Sequence, residues 1–226
     1  MAARHMHARR TGGFTLVELL VALVVMALLN LMSWRGLDAM ARAQSQTQAR
    51  ADDLQALQSG LAQWNTDLDA MAAELVNPSA SSTAPSAVDW NGQVFRITRY
   101  SSGGDSGLRV VAWALGDDQG KRAWLRWQSP VLHSRAALTQ AWLQAATWAQ
   151  TPTAESRALQ VSITPLVDWQ IFYYRADAWS NPGSSSDAAS ANPDGIRLLL
   201  TLPEGQALSG RITRDWIRPT AVGTKS

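Results

Sequence analysis

The chain has 226 residues, 46% of them hydrophobic and 17% charged, with 11 tryptophans, a composition that supports a packed core and excludes wholesale disorder. Cysteine is absent, which removes disulfide scaffolds, thiolate metal sites and thiol nucleophiles together and leaves the redox compartment open. The net charge of +2 is uneven: Arg4, Arg9 and Arg10 lie in residues 1–13 with no acid, leaving 17 basic against 18 acidic residues over 14–226, too balanced for a broad grip on nucleic acid.

Residues 14–34 read FTLVELLVALVVMALLNLMSW. As a helix this run spans about 32 Å, roughly the hydrocarbon thickness of a bilayer. Three arginines precede it and only Arg35 closely follows, so the positive-inside rule puts residues 1–13 in the cytoplasm and 35–226 outside it. A secretory signal would have a shorter apolar region with a small-residue cleavage site after it. Here the glycine pair Gly12-Gly13 comes before the run, and SWRGLDAM closes it.

Glu18 is the anomaly. A carboxylate five residues into an apolar membrane helix costs about 2.5–3.5 kcal/mol on insertion scales. One explanation is snorkelling to the nearby membrane surface. The other is a partner charge: cleavage between Gly13 and Phe14 would create an α-amino group at Phe14, and that ammonium on a neighbouring subunit would neutralise Glu18 in low dielectric.

Gly13 followed by Phe14-Thr15-Leu16-Val17-Glu18-Leu19-Leu20-Val21-Ala22 resembles the class III signal of type IV prepilins and type II secretion pseudopilins. The resemblance covers residues 12–34. It implies a cytoplasmic leader (1–13) removed after Gly13 by a prepilin peptidase, N-methylation of the new amine on Phe14, a transmembrane and fibre-core segment (14–34), and assembly into a helical fibre through Glu18. The chain would then sit in a bacterial inner membrane with its globular part in the periplasm.

Past the membrane run, residues 41–53 are polar throughout and continue the helix. Leu54, Leu57, Leu61, Trp64, Leu68, Met71 and Leu75 then recur at spacings of three and four, one apolar stripe. The stripe predicts a helix packed on its own domain's sheet; a partner-binding coiled coil is the alternative, weakened because the repeat lasts three heptads. Asn77-Pro78 predicts the helix end, which makes 35–77 its periplasmic continuation. Residues 78–87 (PSASSTAPSA) read as a linker opening a β-rich domain over 78–226.

In that domain 88–90 and 93–100 flank Asn91-Gly92, the signal of a type I′ hairpin. Residues 108–115 and 121–128 flank Gly116-Asp117-Asp118-Gln119-Gly120 as a second hairpin. The alanine-rich segment 134–149 predicts a short helix with Leu138, Trp142 and Ala145 aligned. Strands are predicted at 159–163, 167–174, 196–202 and 211–217, and 180–195 reads as a long surface loop. The expected fold class is α+β: a pilin-like long N-terminal helix, half transmembrane and half amphipathic, packed on antiparallel β-sheet.

This order resembles the J-type minor pseudopilin of the type II secretion system (the GspJ/PulJ family). The residues carrying the likeness are Trp34-Arg35-Gly36-Leu37-Asp38, Trp64 with Asp67-Leu68, Phe95-Arg96-Ile97-Thr98-Arg99, the Trp124–Trp127 strand and Gly195-Ile196-Arg197-Leu198. The resemblance implies I- and K-type tip partners, then H- and G-type pseudopilins, and a role at the pseudopilus tip in assembly and protein secretion. The alternative is a PilW-like minor pilin of a type IV pilus, serving priming, adhesion or DNA uptake.

The sequence carries few residues suited to catalysis or metal binding. His133 is the only histidine after the head, which excludes His/Cys metal clusters; adjacency alone does not make Ser134 its target for nucleophilic catalysis, and it reads as a surface or loop residue. Asp117-Asp118 reads as a polar turn rather than a calcium loop, and Ser101–Gly107 opens no helix, so it is no phosphate loop. The expectation is a non-enzyme without metal or cofactor. The tryptophans read mainly as core, a minority as interface anchors.

Overall fold

The computed structural model describes residues 13–75, 85–102, 105–182 and 192–219. It divides into two compact units between Ala49 and Arg50. Helix α1 (Leu16–Asp69) contributes to both. In the first unit an 18-residue window of α1 reaches a mean hydropathy of 2.4 with none of it buried, the only helix among the described residues long and apolar enough to cross a membrane. Exposed apolar side chains continue through Trp34, Leu37 and Met40.

The second unit holds the end of α1 and nine strands in two antiparallel sheets. The first runs β1-β2-β3-β4-β5, built from β1 (Val88–Trp90), β2 (Val94–Tyr100), β3 (Leu108–Asp118), β4 (Lys121–Gln128) and β5 (Gln160–Pro165). The second runs β7-β6-β8-β9, from β6 (Asp168–Arg175), β7 (Ala178–Ser180), β8 (Gly195–Leu202) and β9 (Gly210–Ile217). This is the α+β architecture of a long N-terminal helix followed by antiparallel sheet.

Each layer follows from where the apolar residues fall. The stripe on α1 buries Leu57, Trp64 and Leu68, and the Trp64 ring meets Phe95, Trp113 and Trp124 at 4.9, 5.5 and 6.1 Å. Gly60 lets the helix approach closely: a Cβ there would stand 2.2 Å from Ile163 Cγ2. Helix α2 (Arg135–Thr147), capped by Ser134, covers the other face, since Arg96 alternates with Phe95 and Ile97 and donates to the Trp142 carbonyl at 3.1 Å. With both faces covered, six successive residues of β2 are buried. In the second sheet β8 alternates, turning Ile196, Leu198, Leu200 and Leu202 into the core. Trp90 and Trp169 meet edge to face at 4.8 Å between the sheets.

Several expectations are corrected. The helix stops at Asp69, eight residues before Asn77, because the chain from Ala70 docks beside β2: Tyr100 N donates to Ala70 O, Ala72 N donates to Thr98 O, and Met71 bridges Arg99. Met71 and Leu75 therefore leave the helical stripe. The Asn91-Gly92 turn is not type I′. Trp90 pairs with Phe95, and Asn91 Oδ1 accepts from the N–H groups of Gln93 and Val94, making a wider Asx-capped connection.

The two-residue type I′ turn lies instead at Gln119-Gly120, with φ of 53° and 83°, because β3 and β4 pair out to Asp118 and Lys121. A short helix α3 (Ala154–Ala158), closed by a Thr153–Ser156 capping box, and strand β7 were not anticipated. Of the supposed linker, Ala87 is fully buried and pairs with Leu75 and Thr98, while 76–84 lie outside the described residues, as do 183–191 of the 180–195 loop.

Candidate functional site

The residues expected to be processed sit together at the start of α1. Gly13, Phe14 and Thr15 are exposed and non-helical, and Phe14 is 85% exposed. A Cβ added at Gly13 would meet nothing within 4 Å, so the Gly13–Phe14 bond stands clear of neighbouring side chains. Helix begins at Leu16, with Thr15 accepting from Glu18 N through both its hydroxyl (3.3 Å) and its carbonyl (3.1 Å).

Thr15 is thus the N-cap and Glu18 stands at the third helical position, the T-x-x-E spacing of a capping box. That spacing was present in the sequence and was overlooked there. The carboxylate is exposed in the first turn, where the helix dipole favours an anion. Among the described residues it has no side-chain donor.

Glu18 therefore serves its own helix whatever else it meets.

A second polar centre was missed by the sequence reading. Asp67, on the buried face of α1, is 0% exposed, and five donors converge on it. Gln63 Nε2, Arg99 Nη1 and Arg126 Nη2 reach Oδ1 at 2.9, 3.0 and 2.8 Å, while Trp113 Nε1 and Arg126 Nε reach Oδ2 at 3.0 and 2.8 Å. Every acceptor direction is filled, so this carboxylate has no lone pair left to take a substrate proton. It locks the helix to β2, β3 and β4. Burial lowers the Arg99 pKa from its ordinary value, and Asp67 opposes that shift.

Among the described residues the other titratable groups form separate ion pairs, such as Arg96 with Asp89 and Arg197 with Asp215, rather than a cluster. His133 is exposed, Asp117 accepts from Gly120 N in the turn, and no three His, Cys, Asp or Glu side chains come together as metal ligands among the described residues. The Tyr173 hydroxyl is buried and pushed up by desolvation first, with Asp89 adding to it.

With an exposed Gly–Phe bond ahead of an apolar helix and a glutamate in its first turn, the comparison that decides the matter is with signals of processing. Residues 8–31 match the prokaryotic N-terminal methylation motif. Residues 8–12 of the match lie outside the described residues; 13–31 cover the capped helix start and most of the apolar segment. No curated protein matches the chain. The methylation motif is prepilin-like and implies processing by a prepilin peptidase and assembly with other pilins. Together with the apolar helix it is consistent with anchoring in an inner membrane.

Proposed function

We propose that the chain is a structural subunit of a pilin-type fibre, a J-type minor pseudopilin at the tip of a type II secretion pseudopilus. The observation that carries the reading is the methylation motif at 8–31 lying on an exposed Gly13–Phe14 junction directly ahead of a capped apolar helix. In this reading residues 1–13 are removed, the Phe14 amine is methylated, and the subunit enters the fibre from the membrane. Glu18 leaves lipid for the fibre core, where the Phe14 ammonium of a neighbouring protomer meets its carboxylate. The globular unit then stands outside the inner membrane beside I- and K-type partners. The J-type assignment is supported by the likeness carried by Trp34–Asp38, Phe95–Arg99 and Gly195–Leu198.

The intact mass of membrane-extracted protein tests the processing: it should show loss of residues 1–13 and one added methyl group, and a mass retaining Met1 overturns the reading. Deleting the gene separates the secretion role from a pilus role. Exported proteins should accumulate in the periplasm while surface pili are unaffected; loss of pili with intact secretion would favour the PilW-like alternative.

A further inference from the structure

The two sheets of the second unit present four edges, and three are protected. β1 and β7 are three residues long, and β9 carries Arg211, Arg214 and Asp215. Short length and charge are the usual guards against pairing with another chain. β5 has neither. It is six residues long, QVSITP, with no charge and with Val161, Ile163 and Thr164 favouring extended backbone.

The same edge is apolar to solvent, with Val161 55% exposed. Gln128 N donates to Leu159 O, and Arg126 pairs in register with Val161. By antiparallel alternation the backbone groups of Val161 face β4, while those of Gln160 and Ser162 face outward, free to accept a further strand.

Beside this edge lies a groove of about 710 Å³, lined by Arg109, Arg126, Gln128 and His133 together with Leu159 and the start of β5 at Gln160 and Val161. Arg126 gives Nε and Nη2 to Asp67 and Gln128; its Nη1 has no acceptor among the described residues. Arg109 gives Nε to Ser101 and Nη1 to the Ser129 carbonyl, leaving Nη2. Both guanidiniums line the groove, and each keeps an N–H group with no acceptor among the described residues. Its lining has a single carboxylate, the exposed Asp105. Asp67 is already shared between Arg99 and Arg126, so the local charge is in positive excess.

We propose that the free edge of β5 takes an extended, acidic segment of another protein chain, whose carboxylate reaches Arg109 and Arg126. Main-chain hydrogen bonds to Gln160 and Ser162 would supply the docking, and the guanidiniums would select the acidic side chain. The inference concerns the second unit alone and does not rest on the fibre reading.

The test places a photo-crosslinking amino acid at Val161 of the full-length chain in its own membranes. The expected result is an adduct to a different polypeptide, mapped to a peptide containing Asp or Glu, and lost in both Ser162→Pro and Arg109→Glu while the protease resistance of the chain is kept. Should Ser162→Pro lose that resistance, Ser162→Glu replaces it, setting a like charge against the acidic segment without removing an N–H. No adduct, an adduct only to lipid or to a second copy of this chain, or a yield unchanged by either substitution overturns the proposal.

Discussion

Asp67 is the residue on which the helix–sheet junction depends, because it is a fully buried charge whose partners come from four elements. A buried pair with all its lone pairs filled is not strong evidence of net stability, but breaking it is costly, since the surviving charges stay in low dielectric. Asp67→Ala strands Arg99 and Arg126 together and should destabilise the protein by about 3–5 kcal/mol, read as a lower denaturation midpoint. Asp67→Asn keeps the shape and part of the hydrogen bonding but not the charge, and should fall between the two. Trp216 Nε1 donates to the neighbouring Asp69 at 2.7 Å, a bond without a buried charge beneath it. Trp216→Phe loses that bond to a carboxylate and part of a buried indole, and should cost about 1.5–3 kcal/mol in the same assay.

At the scale of elements, α1 packs tightly on the sheet where Gly60 faces Ile163 of β5. Ile163 is β-branched and stiff at χ1, so it has little room to yield. Gly60→Ala should therefore destabilise by about 1–3 kcal/mol through overpacking, despite alanine's better helix propensity, and Ile163→Ala on the same chain should recover part of the loss in thermal melting.

These contacts also mark what the sequence could and could not tell. The stripe from Leu57 to Leu68, the strand pairs and α2 were legible because hydrophobic period and capping are local signals. The helix stop at Asp69 was not, because it is set by pairing with β2, thirty residues on, which outweighs the local stop at Asn77-Pro78. The turn chemistry misled in both directions: Asn-Gly sits in a wider connection, and glutamine at φ 53° is an uncommon occupant of the left-handed position. Asp67 stood in plain view between Trp64 and Leu68, a carboxylate on an apolar face, yet nothing local names the arginines that meet it. At the N-terminus the motif was readable almost in full, with only the capping role of Thr15 passed over.

For the whole molecule, the two units divide the work by chemistry. The first has a largely apolar surface as far as Met40, with Glu18 its only acid ahead of the Asp38–Arg42 pair, and little to fold around; the second has a continuous core and most of the polar detail. Changes to Glu18 should therefore leave the second unit untouched. Glu18→Ala is expected to leave processing after Gly13 intact, by mass, and to reduce recovery of the chain in sheared fibre fractions. A variant that enters fibres as well as the parent would defeat the pairing of Glu18 with a neighbour's amine.

The clustering of Trp64, Trp113 and Trp124, with ring centroids 4.4–6.1 Å apart, gives the protein its own optical probe. Indoles at that separation couple electronically, so their docked arrangement should produce a paired positive and negative band in circular dichroism that disappears when the end of α1 peels from the sheet. Trp34, 73% exposed, lies outside that cluster and should answer to quenchers dissolved in lipid instead. One unlabelled sample can thus report folding and membrane insertion through separate signals.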